Sequence, residues 1–403
     1  MAPPRARPAL TGTVPGGAVA CAARERLDAL RGEFVELIRQ LVLHESPSTE
    51  PESQAGVRAL LTEALSEIGL GVEHVPGRRT GGHLLAQAGS APRQLLLGHM
   101  DTVWPRGTLS KMPVEHEGEV LRGPGVFDMK AGLAMGVFAL RVLRDLGVDP
   151  GVDPVFLITS DEELGSPESE PLIIDWAGRV ERALVLEPAL GLDGKIKTRR
   201  KGVGHFTVLV TGKSAHGGLA PEEGASAILE LAQVIQRVYA LAEPERGITL
   251  NVGVIEGGTR SNVVADHARA EVDVRVWTAE DAARIEAALR ALEPTIPGTR
   301  IAVTGGIGRG PLERTPRNVR LWNRAVAIGD ELGLELEEGA AGGGSDGNFT
   351  SQHTATLDGL GAVGDGAHAL HEFVYVDRAL ERTALLAGLL AEPSLPATER
   401  AGE

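Results

Sequence analysis

Between residues 94 and 188, short apolar runs alternate with a long helical pattern, and each run ends at side chains that can ligate or titrate. "QLLLGHMD" (94–101) leads to His99 and Asp101, "PVFLITSDEE" (154–163) to Glu162 and Glu163, and "ALVLEP" (183–188) to Glu187. Between the first two runs, residues 131–146 read as a helix. Strands alternating with helices predict a largely parallel sheet covered on both faces. Ligands of such sheets bind beyond the carboxyl ends of the strands, and that is where all five side chains fall.

The pattern begins near Arg24, where Leu27, Leu30, Phe34, Leu37, Ile38 and Leu41 recur at spacings of three and four. A second helix is expected near 53–68. From residue 203 the pattern changes: "HFTVLVTG" (205–212), "TLNVGVIEGG" (249–258) and "RAEVDVRVW" (269–277) alternate apolar with polar residues, as half-buried strands do. Helical stretches at 222–242 and 279–292 separate them, and "RIAVTGGIG" (300–308) closes the series. The expected fold class is α/β, a mostly parallel sheet flanked by helices over 24–202 and 309–403, with a two-layer α+β domain inserted at 203–308. A helix over 316–333 and the glycine loop "GGGSDGNF" (342–349) belong to the returning chain. Residues 1–23 read as a poorly ordered leader, because Gly12, Pro15, Gly16 and Gly17 break the apolar core that a signal peptide needs. The expected location is the cytoplasm.

A net charge of −15, from 40 basic and 55 acidic residues, argues against nucleic acid or an anionic membrane as partner. No apolar run approaches the roughly 18 residues of a membrane span. The single cysteine, Cys21, excludes a disulfide framework and a thiolate metal site. Imidazole and carboxylate remain, donors that suit zinc, cobalt or manganese. His99 and Asp101, two apart on an extended backbone, share a side, so Asp101 is placed to accept the ring N–H of His99. Taken singly, each candidate has an ordinary reading. Asp128 in "RGPGVFDMKAG" reads as a helix cap, Glu187 as a loop glutamate, and His368, His371 and Glu372 in "GAHALHEF" as surface.

Taken together and in this order, "GHMDTVWP", "GPGVFDMKAG", "TSDEELGS", "VLEP" and "GAHALHE" resemble the co-catalytic zinc peptidases that include carboxypeptidase G, aminoacylase, acetylornithine deacetylase and succinyl-diaminopimelate desuccinylase. The resemblance covers about residues 30–390. It implies that His99 and Glu187 hold one metal, Glu163 and His368 the other, and that Asp128 bridges them. His368 is preferred to His371 because the family motif has a glutamate four positions after the ligand, matched by Glu372. Asp101 is expected to orient His99, and Glu162 to act as general base on a water between the metals. Two zinc ions per subunit are implied, with cobalt or manganese as substitutes. Three ligand carboxylates against two divalent cations leave one positive charge, which a hydroxide neutralises. Alternation along the chain is expected to send Glu162 and Glu163 different ways, leaving Asp161 a structural part.

On the substrate side the resemblance assigns a carboxylate clamp to Arg275 and an oxyanion contact, made in a partner subunit, to His216 with Asn262 beside it. Gly343, Gly344 and Ser345 would line the substrate carboxylate pocket. The basic stretch "KIKTRRKG" (195–202) reads either as a solvated hinge or as a positive field for an anionic substrate. The family also implies a cis peptide between Asp128 and Met129 and a homodimer formed through the inserted lid domain. "HMDTVWPRGTL" and "RGPGVFDMKAGLA" look most like the glutamate carboxypeptidase branch. The expected activity is therefore release of a C-terminal amino acid, glutamate above others, from N-acyl or peptidyl substrates, folates being one acyl class. The alternatives are an N-acyl amino-acid deacylase, a dipeptidase, or a non-catalytic binder of amino acids or peptides.

Overall fold

The computed structural model describes residues 15–394, so residues 1–14 of the expected leader lie outside the described residues. Residues 16–23, expected to be poorly ordered, are helical instead. Helix α1 spans Gly16–Ala29 and buries Val19, Ala20, Ala23 and Leu27. Its glycines, read from sequence as breakers, serve packing. A Cβ on Gly16 would lie 2.8 Å from the carbonyl oxygen of Gly388 in the C-terminal helix, so glycine permits the two backbones to meet.

Helices α2 (Arg31–Leu43) and α3 (Ala55–Glu67) follow, then strands β1 (Gly71–Val75), β2 (His83–Gln87) and β3 (Gln94–His99). Helix α4 (Ala131–Leu146) is buried over most of its circumference and ends at Gly147, whose φ of 65° suits the left-handed cap. Phe138 of α4 meets Phe34 of α2 edge to face, with ring centroids 5.2 Å apart. Strand β4 (Pro154–Thr159), helix α5 (Glu170–Ala177) and strand β5 (Arg182–Val185) complete the first pass. Every residue of β3, β4 and β5 is buried, as expected of strands covered on both faces.

The chain then enters a second compact unit, Arg199–Glu313 with Ala341–Gly344. Strands β6 (Gly202–Thr211), β7 (Thr249–Gly257), β8 (His267–Val276) and β9 (Arg300–Arg309) form an antiparallel sheet in the order β7-β8-β6-β9. Helices α6 (Ala227–Tyr239) and α7 (Ala279–Arg290) supply Leu231, Val234, Ile285 and Leu289 to its apolar core. Ser226 and Thr278 cap them by accepting from the amides of Leu229 and Asp281. Burial alternates along β6 and β8, so one face of this sheet is covered and the other faces outward.

Back in the first unit, α8 (Pro316–Leu332), α9 (Gly347–His353), β10 (Ala355–Leu357) and α10 (Val376–Ala391) close the fold. The main sheet has the order β1-β2-β4-β3-β5-β10. The β4–β3, β3–β5 and β5–β10 pairs are parallel, whereas β1 and β2 add antiparallel. The result is the mixed, mainly parallel α/β sheet that alternation of strands and helices predicts. A small antiparallel sheet joins Glu115–Glu117, Val120–Arg122, Gly364–Asp365 and Phe373–Tyr375.

Candidate active site

Strands β3, β4 and β5 run side by side in parallel register, His99 opposite Thr159 and Leu97 opposite Val185. Their carboxyl ends therefore deliver His99, the 160–166 turn and Glu187 to one edge. Asp128 arrives from the loop before α4. Its backbone is non-helical (φ −115°, ψ 92°), and the peptide to Met129 is cis. Helix α4 is entered at Lys130 with no side-chain cap bond, so the helix-cap reading of Asp128 does not hold. His368 comes from the segment between the short strands 364–365 and 373–375, with φ at +61°.

Asp128 stands at the centre. Its Oδ1 lies 3.2 Å from His99 Nε2 and its Oδ2 lies 3.5 Å from His368 Nε2. His99 Nε2 is also 3.4 Å from Glu187 Oε1, and His368 Nε2 is 3.2 Å from Glu163 Oε2. One carboxylate thus faces two imidazoles, each with a second carboxylate of its own. Donor atoms of His99, Asp128 and Glu163 lie within 4.8 Å of one another, as do those of His99, Glu162 and Glu187. Neither His368 nor His371 belongs to these groups; His368 joins the cluster through its approaches to Asp128 and Glu163.

The charge on this cluster calls for cations. Burial opposes protonation of His99, but Asp101, Asp128 and Glu187 together raise its pKa well above the ordinary imidazole range. Asp128 and Glu163 raise that of His368 to about 10. Burial works against the Asp128 anion, yet the two imidazoles hold its pKa far below the usual carboxylate value. Imidazole and carboxylate on both sides of a shared carboxylate suit divalent ions.

Two expectations change in detail. His99 Nδ1 sits 3.0 Å from the carbonyl oxygen of Asp101, nearer than any oxygen of its carboxylate, which approaches to 3.5 Å. The Asp101 carboxylate also accepts from Ser48 Oγ at 2.7 Å and from the amides of Glu162 and Glu163 at 3.3 and 3.2 Å. It holds the acidic turn. That turn, Glu162–Leu164, is a short 3-10 segment rather than a continuing strand, so turn geometry and not strand alternation separates Glu162 from Glu163. Asp161 is structural, as expected, and accepts from the amides of Glu168 and Ser169 just before α5.

Ser345, expected to line the substrate carboxylate pocket, is fully buried; its hydroxyl bonds Asp358 and the Gly347 amide, and its own amide donates to Asn348 Oδ1. In the smaller unit, Gly343 and Gly344 turn their carbonyls to Arg200. His216 and Asn262 come together there through a 2.8 Å bond from the Gly217 amide to the Asn262 carbonyl. His216 Nδ1 accepts from the amides of Gly218 and Leu219, which leaves the Nε2–H as its free donor. Arg275 forks onto Asp273 at 2.9 and 3.0 Å. The basic stretch is ordered, with Arg199 and Lys201 lying 4.6 and 5.3 Å from the ring centre of Trp277.

Sequence reasoning missed Ser48 and Trp104 and treated Glu372 only as a marker. Glu372 is fully buried and bonds Trp104 together with the loop that carries Asp128. Only a contact between distant segments reveals such a part.

Residues 95–392 match the model of peptidase family M20/M25/M40. Carboxypeptidase G2 of Pseudomonas sp. (strain RS-16) is 30% identical over 357 residues, covering 85% of this chain and 84% of the relative. Succinyl-diaminopimelate desuccinylase of Bradyrhizobium sp. (strain ORS 278) is 27% identical, covering 85% and 95%. Among solved structures, aminopeptidase PepT from Bacillus cereus ATCC 10987 superposes with a TM-score of 0.74 at 23% identity, covering 90% of this chain and 98% of that one.

Proposed function

The chain belongs to peptidase family M20/M25/M40 and is a metal-dependent hydrolase of that family; from this premise we propose that it removes a C-terminal amino acid, glutamate above others, from N-acyl or peptidyl substrates. The observation that carries the site assignment is Asp128, whose two oxygens face two imidazoles. In this reading His99 and Glu187 hold one metal, Glu163 and His368 the other, and Asp128 both. Zinc is the proposed metal, with cobalt or manganese as substitutes. Two such ions acidify a water and polarise the scissile carbonyl when bound.

The chain's own groups do the rest. Glu162, with an oxygen within 4.8 Å of donor atoms of His99 and Glu187, is the proposed general base, taking the water's proton and returning it to the leaving nitrogen. Asp101 holds Glu162 and Glu163 in place through their amides. His216, whose free Nε2–H can donate, is proposed to stabilise the oxyanion, with Asn262 beside it. Arg275 is proposed to exchange Asp273 for the substrate carboxylate, which its planar fork suits.

A homodimer through the smaller unit is part of this reading. Edge strand β7 exposes Val254 and Ile255, and α6 exposes Ile228 and Leu229. An open strand edge beside apolar side chains favours pairing with a second copy.

A hydrolysis panel on the zinc-loaded protein tests the specificity. Glutamate-terminated N-aroyl and dipeptide amides are expected to be cleaved in preference to N-acetyl amino acids. Cleavage of N-acetyl or N-succinyl substrates alone would move the chain to the deacylase branch, to which the 27% identical desuccinylase gives some weight.

A further inference from the structure

Glu372 has all its acceptor capacity filled by one neighbourhood. Oε1 accepts from the amides of Phe127 and Asp128 at 2.8 and 3.0 Å. Oε2 accepts from the amide of Gly125 and from Trp104 Nε1, both at 2.8 Å. An ionised carboxylate offers about four lone-pair sites, and here four N–H groups occupy them. The side chain is fully buried, and burial pushes its pKa up while these donors oppose the rise.

The position of the clamp gives it meaning. Strand segments Val120–Arg122 and Phe373–Tyr375 pair antiparallel, with Arg122 opposite Phe373. The chain continues from the first into the loop that carries Asp128, and reaches the second from the loop that carries His368. Glu372 stands where the ladder ends and staples the Asp128 loop directly to the residue four positions after His368. Gly125 lies under it with φ of +73°, a left-handed conformation that directs its amide to the carboxylate and that side-chain-bearing residues rarely adopt. Trp104 adds the loop after His99. Three segments that supply proposed ligands therefore meet on one carboxylate, which ligates nothing itself.

We propose that Glu372, together with Trp104, is a positioning residue that sets the separation of Asp128 and His368 before metal binds. The proposal rests on the ligand assignment above. His368 Nε2 faces Asp128 and Glu163 across the site, through the same atoms that a metal would engage. A staple on uncharged amides fixes the separation of the two loops from behind without competing for the metal. Its effect belongs in metal affinity rather than in the chemical step.

The test is chelator competition for zinc on full-length wild type, Glu372→Gln, Glu372→Asp and Trp104→Phe, with thermal unfolding of each metal-free protein. Gln keeps one acceptor oxygen but turns an NH2 group toward two N–H donors, and Asp withdraws both oxygens by one methylene. Zinc binding to these two is expected to weaken by about 10- to 100-fold, the range for groups that support ligands from behind. Trp104→Phe removes one donor of four and is expected to shift affinity the same way by a smaller factor. Excess zinc is expected to restore kcat with KM unchanged. Unchanged zinc affinity in the folded variants, with only a lowered metal-free Tm, would overturn the proposal. Should the Glu372 variants not fold, Trp104→Phe decides alone, and wild-type affinity there overturns it. Wild type that binds no zinc would instead defeat the ligand assignment.

Discussion

Glu162 and Glu163 are adjacent in sequence, yet they join different donor groups, one with His99 and Glu187 and the other with His99 and Asp128. A one-residue step in a tight turn produces that division of labour, and Asp101 holds both amides while it happens. Glu162→Gln is expected to retain two zinc ions by elemental analysis and to lose about 10²- to 10⁴-fold in kcat, the usual contribution of a positioned proton carrier. Loss of metal in that variant would show that Glu162 is a ligand. At this scale the chemistry-bearing residues were largely legible, because imidazoles and carboxylates stand out at the ends of apolar runs. Ser48 and Trp104 were not, since a serine hydroxyl or an indole N–H carries no pattern until its partner, 53 residues away for Ser48 and 268 for Trp104, is beside it.

Among the elements, the long helices follow their apolar spacing closely. Helix α4 occupies the predicted 131–146. Helix α6 is shorter than the predicted 222–242 because Ser226 caps it and Pro221–Glu223 forms a separate turn. Strands β1 and β2 escaped notice; β1 is mostly exposed and carries no alternation to read. One element-scale device is the buried Glu230 of α6. It accepts from the amides of Thr295 and Ile296 at 2.9 and 2.7 Å and pairs with Arg237 at 2.9 Å, tying the helix to the loop before β9. Burial works against its charge, but the amides of Ile296 and Thr295 prevail and its folded pKa lies below the ordinary 4.5. A lowered folded pKa stabilises fully above the unfolded value, and that stability is lost as pH falls through the folded one. Glu230→Gln is therefore expected to lower stability by about 1–3 kcal/mol at pH 7. The gap between the two proteins should narrow below about pH 4.5, read from denaturant unfolding across pH. A gap that widened in acid would refute this sign.

For the whole molecule, the exposed apolar residues of α6 and β7 have their consequence in assembly. If the proposed dimer forms there, Ile255→Asp, at a position 62% exposed, leaves the fold intact and converts the dimer to monomer in light scattering. An unaltered dimer would place the interface elsewhere. Among the described residues no helix is long and apolar enough to cross a membrane.

The periodicity of apolar residues sufficed for the fold class, because burial demands apolar side chains at particular spacing, and the resemblance carried by five motifs in order sufficed for the family. What the tertiary structure decided is which polar groups answer one another. It turned Ser345 inward to Asp358, placed a carbonyl nearest the ring of His99 and the acidic turn on the carboxylate of Asp101, and set Glu372 between loops 244 residues apart in sequence. A hydrogen bond is satisfied by proximity, not by spacing along the chain. Such partners become definite only when the strands have brought distant segments to a common edge.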